Sequence, residues 1–171
     1  MKVILVDENN RKIKEGDKMN VHKSAKLHRA FSVVIFNSKK EMLLQKRASG
    51  KYHCGGLWTN TCCSHPRPGE KTKTAAKRRL KEEMGFETPL HKVFSFIYKE
   101  KVGELTEHEF DYVFVGSYDG EVKPNKREVE DYKYLSLDEI KRDIKKNPSH
   151  YTPWFKIIMK EGEDVFRKIL C

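Results

Sequence analysis

Apolar and polar positions along this chain fall into short runs with strand spacing, broken by a central stretch with helical spacing and giving way to helices at the end. Lys2–Asp7 predicts a short strand closed by a turn at Glu8, Asn9 and Asn10. Arg29–Asn37 is aromatic and β-branched and predicts a strong strand, with Glu41–Arg47 pairing back on it as a hairpin. Ser49–Gly69 carries four glycines and two prolines and predicts a long structured loop. In Glu70–Met84, Ala75, Ala76, Leu80 and Met84 form an apolar stripe, and Gly85 suits the position after a helix end. Val93–Lys99, Glu107–Tyr118 and Lys133–Leu135 predict further strands, followed by a helix from Ser136 and a last one from Pro153 to Leu170. Strands around one central helix, with helices at the end, predict an α/β or α+β sandwich with a mixed sheet, built as one domain over residues 1–171.

Composition narrows the function classes. No apolar run approaches the roughly 20 residues of a membrane span, and the apolar patch before Asp7 is too short for a secretory segment. Cys54, Cys62, Cys63 and Cys171 are therefore expected as reduced thiols in the cytoplasm, without a disulfide framework. Charge is uneven: residues 1–81 hold 20 Lys+Arg against 6 Asp+Glu, while the rest of the chain is net acidic. A basic half invites a phosphate-bearing partner, but the basic residues are spread over several elements and form no polybasic tract.

Four clusters carry candidate chemistry. Arg78 and Arg79 precede Glu82 and Glu83 by one helical turn. Such pairs are either surface ion pairs worth about 0.2–0.5 kcal/mol each, or a carboxylate site for a hard cation beside a phosphate-binding arginine. Trp58-Thr59-Asn60-Thr61-Cys62-Cys63-Ser64-His65 places thiols two and three residues from an imidazole, as metal ligands or as a thiol with a base beside it. Glu107-His108-Glu109 lies in a predicted strand, so both carboxylates share one face, and Asp111 continues that parity. His22 and His28 precede the first long strand.

The segment Ser64-x5-Glu70-x7-Arg78-Arg79-Leu80-Lys81-Glu82-Glu83-Met84-Gly85-Phe86 resembles the Nudix box, with Ser64 in place of its first glycine and Arg79 in place of the glutamate after the arginine. That family folds as an α/β/α sandwich and uses the box helix to bind divalent metal on a diphosphate. The charge reversal at Arg79 is expected to impair pyrophosphate hydrolysis and to grip a diphosphate without cutting it. Together with Trp-Thr-Asn-Thr-Cys-Cys-Ser-His and the Glu-x-Glu strand, the chain from about Lys18 to Trp154 resembles the type I isopentenyl-diphosphate isomerases, non-hydrolytic relatives of the Nudix enzymes.

The resemblance implies roles. Cys63 is the catalytic thiol and Cys62 its non-catalytic neighbour; Glu109 and Tyr98 move the other proton, with the order between them open. His22, His28, His65, Glu107 and Glu109 bind one divalent metal, and this ligand set suits zinc, manganese or magnesium alike. Glu83 binds a second ion, magnesium, on the substrate diphosphate. Lys18, Arg47, Lys51 and Arg79 contact the diphosphate, and Trp154 faces the hydrocarbon end. The implied partner is a small-molecule diphosphate, with no nucleic acid or membrane, acting on a monomer or weak dimer. Cys54, Cys171 and His53 receive no role. Two rival readings are a Nudix hydrolase of a nucleoside diphosphate derivative and a basic nucleic-acid-binding module, the latter without any recognised motif. A zinc-stabilised interaction domain is a third.

Overall fold

The structure, a computed structural model, describes all 171 residues. In chain order the elements are β1 (Lys2–Val6), β2 (Lys12–Asp17), α1 (Lys18–Lys23), β3 (His28–Phe36), β4 (Glu41–Arg47), β5 (Trp58–Thr59), β6 (Cys62–Ser64), α2 (Thr72–Met84), β7 (His91–Val102), β8 (Leu105–Ser117), β9 (Val129–Ser136), α3 (Leu137–Lys146) and α4 (Pro153–Leu170).

β3 is buried along its length except at Arg29. Side-chain alternation sends Phe31, Val33 and Ile35 to one face of the sheet and Val34 and Phe36 to the other. The first face packs against Ala75, Ala76, Leu80 and Met84 of α2. The second packs against Phe155, Ile158, Met159 and Phe166 of α4, with Leu137 and Ile140 of α3. Helices therefore cover both faces of one sheet, the layered α/β arrangement that the patterning predicts. Truncating a buried leucine such as Leu80 to alanine costs about 2–5 kcal/mol in such a core.

Register places the chemistry. β3 runs parallel to β8 with His28 opposite Glu109. It runs antiparallel to β6, with Ser32 opposite Cys63 and Val33 opposite Cys62. β7 and β8 form an antiparallel hairpin with Tyr98 opposite Glu109. Val113 and Val115 of β8 belong to the core under α4. By period-2 parity, Glu107, Glu109 and Asp111 point to that same side.

Several local expectations are corrected. Glu41–Arg47 does not zip along Arg29–Asn37; the two strands share only the pair Phe36–Met42, and β4 instead pairs along its length with β9. The cause is β6, which inserts beside β3. The predicted loop over 49–69 accordingly contains two short strands, β5 and β6. α2 begins at Thr72, not at Glu70. Glu70 turns back to accept hydrogen bonds from the Arg67 N–H at 2.9 Å and from Arg78 Nε at 2.8 Å, so it stands outside the helix. β2 and α1 were not foreseen. β2 has no apolar alternation, and its residues are exposed apart from a half-buried Gly16. Gly85 does end α2, with φ 81° and its N–H on the Lys81 carbonyl at 3.0 Å. No helix is long and apolar enough to cross a membrane.

Candidate active site

β3 and β4 diverge beyond Phe36–Met42, which would strand their backbone groups. The segment Thr59-Asn60-Thr61, fully buried, fills the gap. Thr61 Oγ1 donates to the Leu43 carbonyl at 2.6 Å and accepts from the Ile35 N–H at 3.0 Å, so one hydroxyl bridges both strands. Asn60 Nδ2 donates to the carbonyls of Val33 at 3.1 Å and Cys62 at 2.8 Å. Buried backbone groups left unpaired cost free energy, so this polar wedge is what permits the gap. It also fixes the next two residues. Cys62 is fully buried in the core under α2, while Cys63, opposite Ser32, faces the α4 side.

Where the sheet opens, α2 on one face and the start of α4 on the other border a cavity of about 510 Å³ including its mouth. Every residue assigned a site role from the sequence lines it, except His22 and His28, which are wholly buried beside it. The cavity also takes in residues the sequence reading left without a role: Tyr52, His53, Ser64, Phe31 and Asp111. Two of them had a signal: Ser64 stands in the Cys-Cys-Ser-His motif, and Asp111 shares the parity of Glu107 and Glu109. Asp111 is buried, with Oδ2 accepting from Ser32 Oγ at 2.8 Å, and burial pushes its carboxyl well above the usual range.

Below Glu109 lies a cluster of ligand-type atoms. One atom each from His22, His28, His65 and Glu109 fall within 4.8 Å of one another, all buried. Backbone carbonyls set two of the tautomers: His22 Nδ1 faces the Lys18 carbonyl at 2.7 Å and His28 Nδ1 that of Lys26 at 2.9 Å. A carbonyl only accepts, so each Nδ1 carries the hydrogen and each Nε2 presents a lone pair. Those lone pairs face other acceptors: His22 Nε2 meets Glu107 Oε2 at 3.2 Å, and His28 Nε2 meets Glu109 Oε1 at 3.4 Å and His65 Nε2 at 3.2 Å. Acceptors converging in a buried space call for a cation among them, and a divalent metal fits this donor set. Burial also pushes the His65 imidazole down to about 4, which keeps it neutral, the form that ligates. Glu107 stands at the edge of the cluster, with Oε2 facing His22 Nε2 and its other oxygen 2.5 Å from His53 Nε2.

Glu109 faces both the cluster and the cavity. Its Oε1 contacts His65 Nε2 at 2.8 Å, and its Oε2 accepts from the Tyr98 hydroxyl at 2.7 Å. Burial alone would raise this carboxyl, but its contacts with the His28 and His65 imidazoles outweigh it and hold Glu109 well below the usual carboxylate range. Burial, with Glu109 nearby, raises the Tyr98 hydroxyl. Cys63 has the opposite character to Glu109: burial pushes its thiol up to about 12, against the 3.9 Å approach of Arg47 Nη1. The cavity thus carries a protonated thiol and an ionised carboxylate.

Cations ring the mouth. Arg47 and Arg79 each carry a buried Nε with no acceptor. Arg79 Nη2 donates to Glu83 Oε1 at 2.5 Å and Gln45 Nε2 to Glu83 Oε2 at 2.9 Å, so Glu83 is held by both. Lys51 pairs with Glu128, and Arg79 reaches the same carboxylate at 3.5 Å. Lys18 sits 4.9 Å from the Tyr52 ring, and the Arg47 guanidinium 5.3 Å from the Trp154 ring. Trp154 is placed by the start of α4, where Thr152 caps the helix and bonds Thr59 at 2.9 Å.

Comparison with known proteins agrees with this geometry. The NUDIX domain family model matches residues 26–155. The chain is 51% identical to an isopentenyl-diphosphate Delta-isomerase 2 of Aromatoleum aromaticum, covering 89% of this chain and 81% of that one. It is 49% identical to an isopentenyl-diphosphate Delta-isomerase 2 of Photorhabdus laumondii, covering 92% and 89%. A solved protein of Deinococcus radiodurans superposes with a TM-score of 0.77 over 94% of this chain and 98% of that chain at 13% identity, a likeness of fold alone.

Proposed function

This chain belongs to the Nudix family, and we propose from that premise how its cavity carries out the reaction of its isomerase relatives. That reaction is the isomerisation of isopentenyl diphosphate to dimethylallyl diphosphate, a step of isoprenoid biosynthesis on a small-molecule diphosphate. The observation that carries the mechanism is the placement of Cys63 and the Tyr98–Glu109 pair in one cavity with Trp154.

Moving the double bond forms one C–H bond at the terminal methylene and breaks another on the far side of the branched carbon. The electrons of the broken bond become the new double bond, and the branched carbon passes through a tertiary cation. The chain must supply an acid and a base on opposite sides of the hydrocarbon. The Tyr98–Glu109 pair delivers the first proton, and Cys63 removes the second. The Trp154 face stabilises the cation without reacting with it.

Lys18, Arg47, Lys51 and Arg79 grip the diphosphate, the arginines through forked donors. Arg79 puts a cation where a hydrolase of this family carries a carboxylate, so the diphosphate is held and not cleaved. His22, His28, His65, Glu107 and Glu109 hold a divalent ion, of zinc, manganese or magnesium, whose charge when bound tunes the proton affinity of Glu109. Glu83 holds a magnesium ion with the diphosphate. Turnover of Cys63→Ala and Glu109→Gln tests the reading: both should lose at least a hundredfold in rate while staying folded. Near-wild-type turnover in either, or phosphate release from nucleoside diphosphate derivatives by the wild type, would refute it.

A further inference from the structure

His53 lies in the loop between β4 and β5 and belongs to no periodic pattern. Its imidazole is nonetheless turned inward, with a side chain only 8% exposed. The loop is tied down at both ends: the Arg47 N–H donates to the Leu57 carbonyl and the Gly56 N–H to the Arg47 carbonyl, both at 2.9 Å. Arg47 Nη2 also donates to the carbonyl of His53 itself at 3.3 Å. The ring is held edge-on by Tyr52 at 4.1 Å and Trp154 at 5.9 Å between centroids.

Glu107 is 2% exposed, so neither of its oxygens can be left to water. Oε2 faces the bare Nε2 of His22 at 3.2 Å, toward the metal cluster. Oε1 is left without a hydrogen bond, and the polar group in ion-pair range of it is His53 Nε2, 2.5 Å away. A carboxylate held at one oxygen only can rotate about its terminal torsion, which is broad and soft. Held at both, it has one orientation. Partners of this kind, one step out from a ligand, change metal affinity about 10–100-fold when removed.

We propose that His53 is a positioning residue of the metal centre: its Nε2–H fixes Glu107 Oε1, so that Oε2 is presented to the ion. The inference rests on reading the His/Glu cluster as that centre. It also ties the centre to the loop that carries Lys51 and to Trp154, so diphosphate grip, hydrocarbon contact and metal geometry share one segment.

The test is the affinity of purified full-length protein for manganese(II), by competition with a chelator. His53→Phe fills the space but donates nothing; His53→Gln keeps a donor. The phenylalanine variant should bind manganese about 10–100-fold more weakly, with glutamine recovering most of the loss. Unfolding of the metal-free protein should be the same in both. Wild-type affinity in folded His53→Phe, or equal losses in both variants, overturns the proposal. Should His53→Phe not fold, His53→Ala carries the same comparison against glutamine. His28→Ala separates the two readings. If it too binds manganese normally, the cluster is not a metal centre; if it loses the ion while His53→Phe keeps it, only the role of His53 falls.

Discussion

Thr61 offers a sharp test, because a single hydroxyl holds open the gap in which the cavity lies. Thr61→Val keeps the shape and removes the oxygen. The Ile35 N–H then loses its 3.0 Å acceptor and the Leu43 carbonyl its 2.6 Å donor, in a site with no exposure to water. Each stranded group costs about 1–3 kcal/mol, and the added methyl returns under 1 kcal/mol, so the expected loss is about 2–5 kcal/mol. Thr61→Ser keeps the hydroxyl and should lose about 1 kcal/mol. The loss is read by urea unfolding of the three proteins side by side, comparing midpoints at constant slope. Turnover adds a second readout. Thr61 is two residues from Cys63, and a shift of about 1 Å at a reacting group costs on the order of a hundredfold in rate. Thr61→Val should therefore lose activity below its unfolding midpoint, and Thr61→Ser should not. A valine variant within 0.5 kcal/mol of wild type, an order-of-magnitude threshold set by the cost of one stranded group, would refute the wedge.

Cys62→Ala should cost about 1–2 kcal/mol of stability and spare turnover, because Cys62 faces the α2 core, whereas Cys63→Ala should do the reverse; activity assays with matched unfolding curves decide this. Glu83→Gln should raise KM for the diphosphate about tenfold or more, by loss of one charge-assisted contact, with metal content at the histidine cluster unchanged by elemental analysis; an unchanged KM contradicts the role of Glu83. Because burial pushes the Cys63 thiol up to about 12, its thiolate fraction at pH 8 is roughly a thousandfold below that of an ordinary thiol, so iodoacetamide should label it far more slowly than Cys171 by peptide mass mapping. The sign for stability follows: the neutral buried thiol contributes below the unfolded value of 9.0, and that contribution is lost as pH rises toward about 12.

Much of the site was legible because strand parity and register are arithmetic. Glu107, Glu109 and Asp111 share a face by alternation, and the structure buries all three on the α4 side. The apolar stripe of α2 and its glycine stop were equally plain. The wedge was not: Thr59, Asn60 and Thr61 look like loop residues, and only the divergence of β3 and β4, a tertiary fact, turns them into core. β2 and α1 escaped for the lack of an apolar period, although Asp17 caps α1 by accepting from the Asn20 N–H at 3.2 Å, a signal present in the sequence. His53 carries no local signal at all; its place depends on a loop whose ends are fixed by β4 and β5.

The most direct test of the central claim is proton NMR of isopentenyl diphosphate with magnesium in deuterated water, following wild type and Cys63→Ala together. Wild type should form dimethylallyl diphosphate carrying solvent deuterium in its methyl groups, and the variant should form none. No isomer from folded, metal-loaded wild type, or equal conversion by Cys63→Ala, would contradict protonation and deprotonation across this cavity.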